Sequence, residues 1–297
     1  MKTPQSFPRC LLVLALGPAS VLPASPSELF AAMSMTKEQQ ASSVPTDSGV
    51  FIYHPEENKW GRIGPVIQHI SSVTADPRNP EILYMACGNG IVRSVDGGLT
   101  WRLVTGWSES DVLRIVVDPI ETTNLYAATA WGVIASFDGG DTWEARNTGL
   151  PEYYAKDIVL DAENPRRIVL ATTTGLFESR NQARRWKRIR TFPEVAALRL
   201  ENSQADRQLW IAGTEGQGVW ISRDNARNWH PTAPELADAN VYGVAVDPKD
   251  GSRMAAGGWG TGVLVSADQG HSWQRAAGPE ASPNITVMVY DENVPGR

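Results

Sequence analysis

Cysteine and histidine are scarce in this 297-residue chain. It has two cysteines, Cys10 and Cys87, and four histidines. Two lone thiols build neither a disulfide framework nor a zinc site. His54, His69, His230 and His271 stand at no ligand spacing, so no metal and no cofactor is expected. Charge is also thin, at 20% of residues and −6 net, which excludes nucleic-acid binding by bulk electrostatics. No apolar run approaches the roughly 20 residues of a membrane-spanning helix. The best candidate, Cys10 to Leu16, is far shorter.

What the chain does have is glycine (26), proline (20) and tryptophan (11), a composition of tight turns and many short strands. The tryptophans carry the pattern. Ser136-Phe137-Asp138-Gly139-Gly140-Asp141-Thr142-Trp143 reads Ser-x-Asp-x-Gly-x-Thr-Trp. Ser94, Asp96, Gly98, Thr100 and Trp101 repeat it, as do Ser266, Asp268, Gly270 and Trp273 with Ser272 in place of Thr. Worn copies run from Ser179 to Trp186 and from Ser222 to Trp229, and only spacing and Trp survive from Tyr53 to Trp60. The closing tryptophans, at 60, 101, 143, 186, 229 and 273, recur every 41 to 44 residues. That period signifies four-stranded propeller blades.

Each copy reads as a hairpin turn. The Asp accepts backbone N–H groups ahead of it, Gly supplies a positive φ, and Trp packs under a neighbouring strand. Where Gly gives way to Ala183 and Ala226, a different or strained turn and a looser copy are expected.

The pattern resembles the Asp-box, or BNR repeat, of sialidases, sortilin-type receptors, xyloglucan-degrading glycoside hydrolases and propellers that assist photosystem II assembly. The resemblance covers about Gly49 to Arg297. It implies boxes on the blade periphery with structural, non-catalytic Asp residues. Unrelated activities share this scaffold, so it does not imply one function.

The expected fold is an all-β propeller of about six four-stranded blades. Five are complete. The remaining one is composite, with Gly49–Tyr53 and Lys59–Ile63 as its third and fourth strands and Ile285–Tyr290 as its first. A truncated seven-bladed ring is the alternative. Lys2 and Arg9 before the apolar run, and small residues after it, read as a signal peptide over residues 1–24. Residues 25–48 read as a linker and 49–297 as the propeller, which makes the protein secreted or periplasmic.

Loops between blades, and turns between second and third strands, share one face. They carry Trp107, Trp131, Tyr154, Lys156, Asn240 and Trp259, which suit a glycan or protein partner. The plain alternative is that Trp131 and Trp259 only cover the channel mouth. Glycoside hydrolysis would need paired carboxylates, for which Glu109, Asp111 and Glu215 are weak candidates. Arg62-Ile63-Gly64-Pro65 departs from the Arg-Ile-Pro of sialidases, which argues against that activity. Arg184, Arg185, Arg188 and Arg190 form a basic stretch, read either as a dock for an acidic partner or as a solvated edge strand. A monomer with no membrane span is expected.

Overall fold

The computed structural model describes residues 11–15, 29–33, 48–54, 59–67, 69–276, 285 and 287–290. These residues form six four-stranded antiparallel sheets and one short 3-10 turn, Pro234–Leu236. The first sheet is β1 (Leu11–Ala15), β2 (Leu29–Met33), β3 (Gly49–His54) and β4 (Lys59–Ile63). The second is β5 (Ile70–Asp76), β6 (Asn79–Cys87), β7 (Gly90–Ser94) and β8 (Arg102–Leu103). The third is β9 (Val112–Val117), β10 (Leu125–Thr129), β11 (Gly132–Ser136) and β12 (Glu144–Ala145). The fourth is β13 (Ala155–Leu160), β14 (Ile168–Thr172), β15 (Gly175–Ser179) and β16 (Lys187–Arg188). The fifth is β17 (Ala197–Asn202), β18 (Trp210–Thr214), β19 (Val219–Ser222) and β20 (His230–Pro231). The sixth is β21 (Val241–Val246), β22 (Met254–Gly258), β23 (Gly262–Ser266) and β24 (Gln274–Arg275). From the second sheet to the sixth, successive first strands run side by side, as in a propeller whose first strands line the axis.

The count of six agrees with the tryptophan period, but the first sheet is assembled differently from expectation. Its first two strands are Leu11–Ala15 and Leu29–Met33, within stretches read above as leader and linker. Their backbones complete an unbroken ladder with β3. Ile285 and 287–290 are not in a strand. Instead the Ile285 amide donates to the Gly258 carbonyl at 3.0 Å, and Val287 packs on the Val50–Ile70 cluster. The C-terminal stretch thus lies against both the sixth and the first sheets.

The core lies between the sheets. In the third to sixth sheets every residue of the second strand is buried, because both its faces meet a neighbour. Tyr126, Ala128, Val133 and Ala135 of the third sheet pack on Ile158, Ile168, Leu170 and Trp186 of the fourth. Small residues occur where backbones approach. A Cβ on Gly213 would stand 2.5 Å from the Val241 carbonyl of the next sheet. Polar pegs join the layers as well. Ser72 Oγ accepts the Ile115 amide (3.2 Å), and Asp157 Oδ2 accepts the Leu200 amide (2.9 Å). Cys87 is buried, its thiol donating to the Gly90 carbonyl at 3.1 Å, and burial pushes its pKa up. It is an inert core residue.

The eight-residue motif is a closed hydrogen-bond knot. Asp138 Oδ1 accepts the Thr142 amide (2.9 Å) and the Ser136 hydroxyl (2.7 Å), while Oδ2 accepts the Thr142 hydroxyl (2.5 Å). Ser136 Oγ in turn accepts the Gly140 amide at 2.8 Å. The copies at Asp96 and Asp268 repeat these bonds. In the worn copies Ala183 and Ala226 keep the left-handed turn, at φ 60° and 58°. Those turns are not loose. Their alanines are buried, and Trp186 and Trp229 are only 2% and 3% exposed. The burial of each ring, worth roughly 2–3 kcal/mol, outweighs the roughly 1 kcal/mol of strain at each alanine.

Asp138→Ala removes three bonds of this knot. It should destabilise the protein by about 1–3 kcal/mol in urea unfolding. The threonine bonds hold the Asp138 carboxyl down to about 2. Its contribution is complete above the free aspartate value and is lost as pH falls through the folded one. The gap between wild type and variant should therefore close between about pH 4 and pH 2.

Candidate binding face

Antiparallel alternation sorts the connections to two ends. The motif turns and the Asp turns at Asp76, Asp118, Asp161 and Asp247 lie at one end, each Asp capping amides just ahead of it. The links between sheets and the turns between second and third strands lie at the other. This second end carries the most exposed aromatic rings, while Phe137 (37%) and Trp60 (39%) are the less exposed ones at the motif end. Trp107, on the β8–β9 link, is fully exposed at 103%. Trp131 and Trp259, on the β10–β11 and β22–β23 turns, are each 63% exposed, and Tyr153 and Tyr154 are exposed on the link into β13. Rings of this size are ordinarily packed away.

Their supports are firm. Asn147 Oδ1 accepts the Val133 amide (2.8 Å), and its Nδ2 donates to the Trp131 carbonyl (3.1 Å). Thr129 Oγ1 accepts the Trp131 amide at 3.0 Å. The turn is therefore fixed while the ring projects. The Lys156 ammonium sits 4.3 Å above the Tyr154 ring, a cation–π pair. Trp259 leans on Tyr242 with centroids 5.7 Å apart. Asn240 is exposed, and its carbonyl abuts Gly258, leaving no room there for a Cβ. Trp107, Trp131, Tyr154 and Lys156 thus gather over the second to fourth sheets, and Asn240 and Trp259 over the sixth.

The acidic candidates are held differently. Glu109 is engaged locally, its Oε2 accepting the Gly106 amide (2.8 Å) and its Oε1 the Ser108 hydroxyl (2.6 Å). Asp111 occupies a left-handed turn at φ 52°, and its backbone bonds to Gly88 and Ala130 tie the second sheet to the third. Glu215 is exposed on the β18–β19 turn of the fifth sheet. Among the described residues no hydrogen bond links any two of the three. The basic stretch lies at the outer edge. Arg188, in β16, pairs with Glu194 at 2.9 Å, while Arg184, Arg185 and Arg190 are exposed. Among the described residues no group of three or more His, Cys, Asp or Glu is placed to hold a metal, and no helix is long and apolar enough to cross a membrane.

Sequence reasoning missed a charged band on the axis. One residue bulges at the same level of each first strand from the second sheet to the sixth. Just past that bulge stand Ser72, Arg114, Asp157, Arg199 and Gly243. Arg114 Nε and Arg199 Nε both lie 3.5 Å from the Asp157 carboxylate. Glu201 lies in the same strand as Arg199, and its Oε1 accepts the Val246 amide at 2.9 Å. Burial lifts the Glu201 carboxyl to about 7 against the pull of the nearby arginines, and burial lowers Arg114 to about 10. A signal did exist in the sequence: charge at one repeat position, two residues after the first, in three consecutive first strands.

No protein-family model matches the chain, and no curated protein is similar to it in sequence. Solved structures are similar in fold. The GH74 enzyme of Niastella koreensis superposes with a TM-score of 0.68 at 18% identity, over 83% of this chain and 43% of that one. YCF48 from Cyanidioschyzon merolae gives 0.61 at 13% identity, over 92% and 86%. YCF48 bound to D1 peptide gives 0.59 at 12%, over 90% and 81%. The chain spans less than half the length of the GH74 enzymes. At these identities the likeness establishes a β-propeller and nothing finer.

Glu201 provides a test of the axial band. Its folded pKa is raised, so the folded state holds a proton that the unfolded chain releases near pH 4.5, and stability falls as pH rises from there through 7. Arg114, Asp157 and Arg199 are the charges that face it. Glu201→Gln should flatten the melting temperature against pH between 5 and 8 relative to wild type.

Proposed function

We propose that this protein is a non-catalytic recognition propeller that takes an extended partner, glycan or polypeptide, across its loop-rich face. One observation carries the reading: exposed aromatic rings on rigid turns concentrate at that end of the sheets. Flat rings give large contact area at little entropic cost. Trp107, Trp131, Tyr154 and Lys156 would form one contact patch, and Asn240 and Trp259 a second. We read the eight-residue knots as Asp-boxes that keep the blade edges rigid, away from the partner. The YCF48 structure with bound D1 peptide gives a propeller of similar fold a peptide ligand. Export remains part of the proposal, with residues 1–24 as the signal. It would remove β1, so protein purified from the exported fraction should be sequenced at its N-terminus.

A second reading, a glycoside hydrolase, draws on the GH74 likeness and on Trp107 standing two residues from Glu109. It needs two carboxylates facing each other across a scissile bond. The local hydrogen bonds of Glu109 and the turn role of Asp111 favour the binding reading.

Trp131→Ala and Trp259→Ala should leave the melting temperature within about 2 °C of wild type, since each ring is exposed. Each should weaken partner binding about tenfold or more in a glycan-array or peptide-array titration. Product release from any bound glycan, lost in Glu109→Gln, would replace this reading with the hydrolase.

A further inference from the structure

Six positive charges and no negative one lie between Arg180 and Arg190, in a chain of net charge −6, so the rest of the chain sums to −12. Arg184, Arg185, Lys187 and Arg190 of this stretch are exposed. The fold adds to it. The Thr191 hydroxyl donates to the Arg227 carbonyl at 2.7 Å, which sets exposed Arg227 of the fifth sheet beside the end of the stretch. The acids around the patch are mostly committed. Glu178 is shared by Arg167 (3.3 Å) and Arg180 (3.2 Å), Asp161 is held by Arg167 (3.0 Å), and Glu194 by Arg188 (2.9 Å). Asp224 is spent inside its own turn, on Ser222 and Asn228. Glu163 is left, on the wall of the groove between Arg180 and Arg227. Among the described residues Arg184, Arg185, Lys187, Arg190 and Arg227 form no ion pair.

The motif departs from its own pattern at this place. Its third residue is Asp96, Asp138, Asp224 and Asp268 in four copies and Asn181 in the fourth sheet. Asn181 Oδ1 keeps the bonds of the turn, accepting the Ser179 hydroxyl (2.9 Å) and the Arg185 amide (3.0 Å). The turn survives and its negative charge is gone. The sixth residue is Asp141 in the third sheet, where Arg93 of the second sheet pairs with it at 2.8 Å. The same place holds Arg184 in the fourth sheet and Arg227 in the fifth, so neighbouring sheets present unpaired guanidinium groups at one level. Protection of an edge strand asks for less charge. The outer strands β8, β12, β20 and β24 are also two residues long and carry at most one charged side chain each.

We propose that the outer edge of the fourth and fifth sheets docks an acidic polypeptide segment, whose carboxylates pair with Arg184, Arg185, Arg190 and Arg227. A guanidinium takes a carboxylate through two parallel N–H bonds. A single surface pair contributes little, so affinity needs several at once, and the two sheets bring several together. A nucleic acid fits less well, because bases need open rings to stack on. Trp186 and Trp229 are buried, and Phe137 lies between the Arg146 guanidinium and the Tyr126 ring. The dock lies at the outer edge, away from the aromatic patches, and does not depend on them.

The test uses the full chain and an oligo-glutamate peptide of about ten residues, roughly 33 Å long when extended. The peptide should bind at low salt, with an affinity that falls as salt rises. The double variant Arg184→Glu, Arg185→Glu should weaken binding about tenfold or more. Both side chains are exposed, so its melting temperature should stay within about 2 °C of wild type. Asn181→Asp restores the motif carboxylate beside the arginines and keeps the turn, so it should also weaken binding, by about threefold, without loss of stability. Lys249→Glu, an exposed cation at the motif end of the sixth sheet, and Trp131→Ala should bind the peptide as wild type does. No binding at low salt, equal weakening by Lys249→Glu, or full affinity in the double variant and in Asn181→Asp would each overturn the proposal. A single-stranded DNA oligonucleotide that displaces the peptide from the same arginines and binds more tightly would overturn the choice of a polypeptide.

Discussion

No sheet of this protein can bury its own faces. Each is four strands deep, and its fourth strand is only two residues long from the second sheet onward. Stability comes from stacking sheet against sheet, so that second strands such as Leu125–Thr129 and Ile168–Thr172 lose all contact with water. Much else follows from that constraint. Alanine and glycine crowd the second strands because neighbouring backbones approach closely. Trp186, Trp229 and Trp273 close their repeats as buried rings that seal the gap between layers. The hydrogen-bond knot at each motif holds the thin outer hairpin in register where hydrophobic burial is weakest.

The same constraint frees the ends of the strands. Links between sheets contribute little to the core, so they can present Trp107, Trp131 and Trp259 to solvent at small cost in stability. Propellers of similar fold include one with a bound peptide and GH74 enzymes. The axis is the other place where the sheets meet. There first strands converge and side chains of consecutive sheets meet, which brings together Arg114, Asp157, Arg199 and Glu201 from three strands.

The repeat architecture was legible because one short motif recurs at blade spacing and its residue types each have a geometric task. The third and fourth strands of the first sheet, and the polar turns after Asp76, Asp118, Asp161 and Asp247, followed from the same register. The first sheet's other strands were harder to see. Leu11–Ala15 is an apolar run that serves equally as a leader or a strand, and Leu29–Met33 lies among serine and proline. Backbone pairing places both in the first sheet, a partnership that the local run of residues does not display. The worn motifs misled in the opposite direction. Ala183 and Ala226 suggest a broken turn, yet burial of Trp186 and Trp229 holds both alanines in a left-handed conformation that local preference opposes.

By itself, the sequence determined the fold class, the repeat period, the placement of the knots and which loops share an end. All of these depend on period and local turn chemistry, which a linear chain displays directly. Only the tertiary structure decided the contents of the axis and the local engagement of Glu109 and Asp111. The axis depends on distances between residues some 40 positions apart and on the bulge that turns Arg114, Asp157 and Arg199 to one level. Period alone gives the blade to which a residue belongs. Convergence of the first strands is what brings charges from three consecutive repeats together.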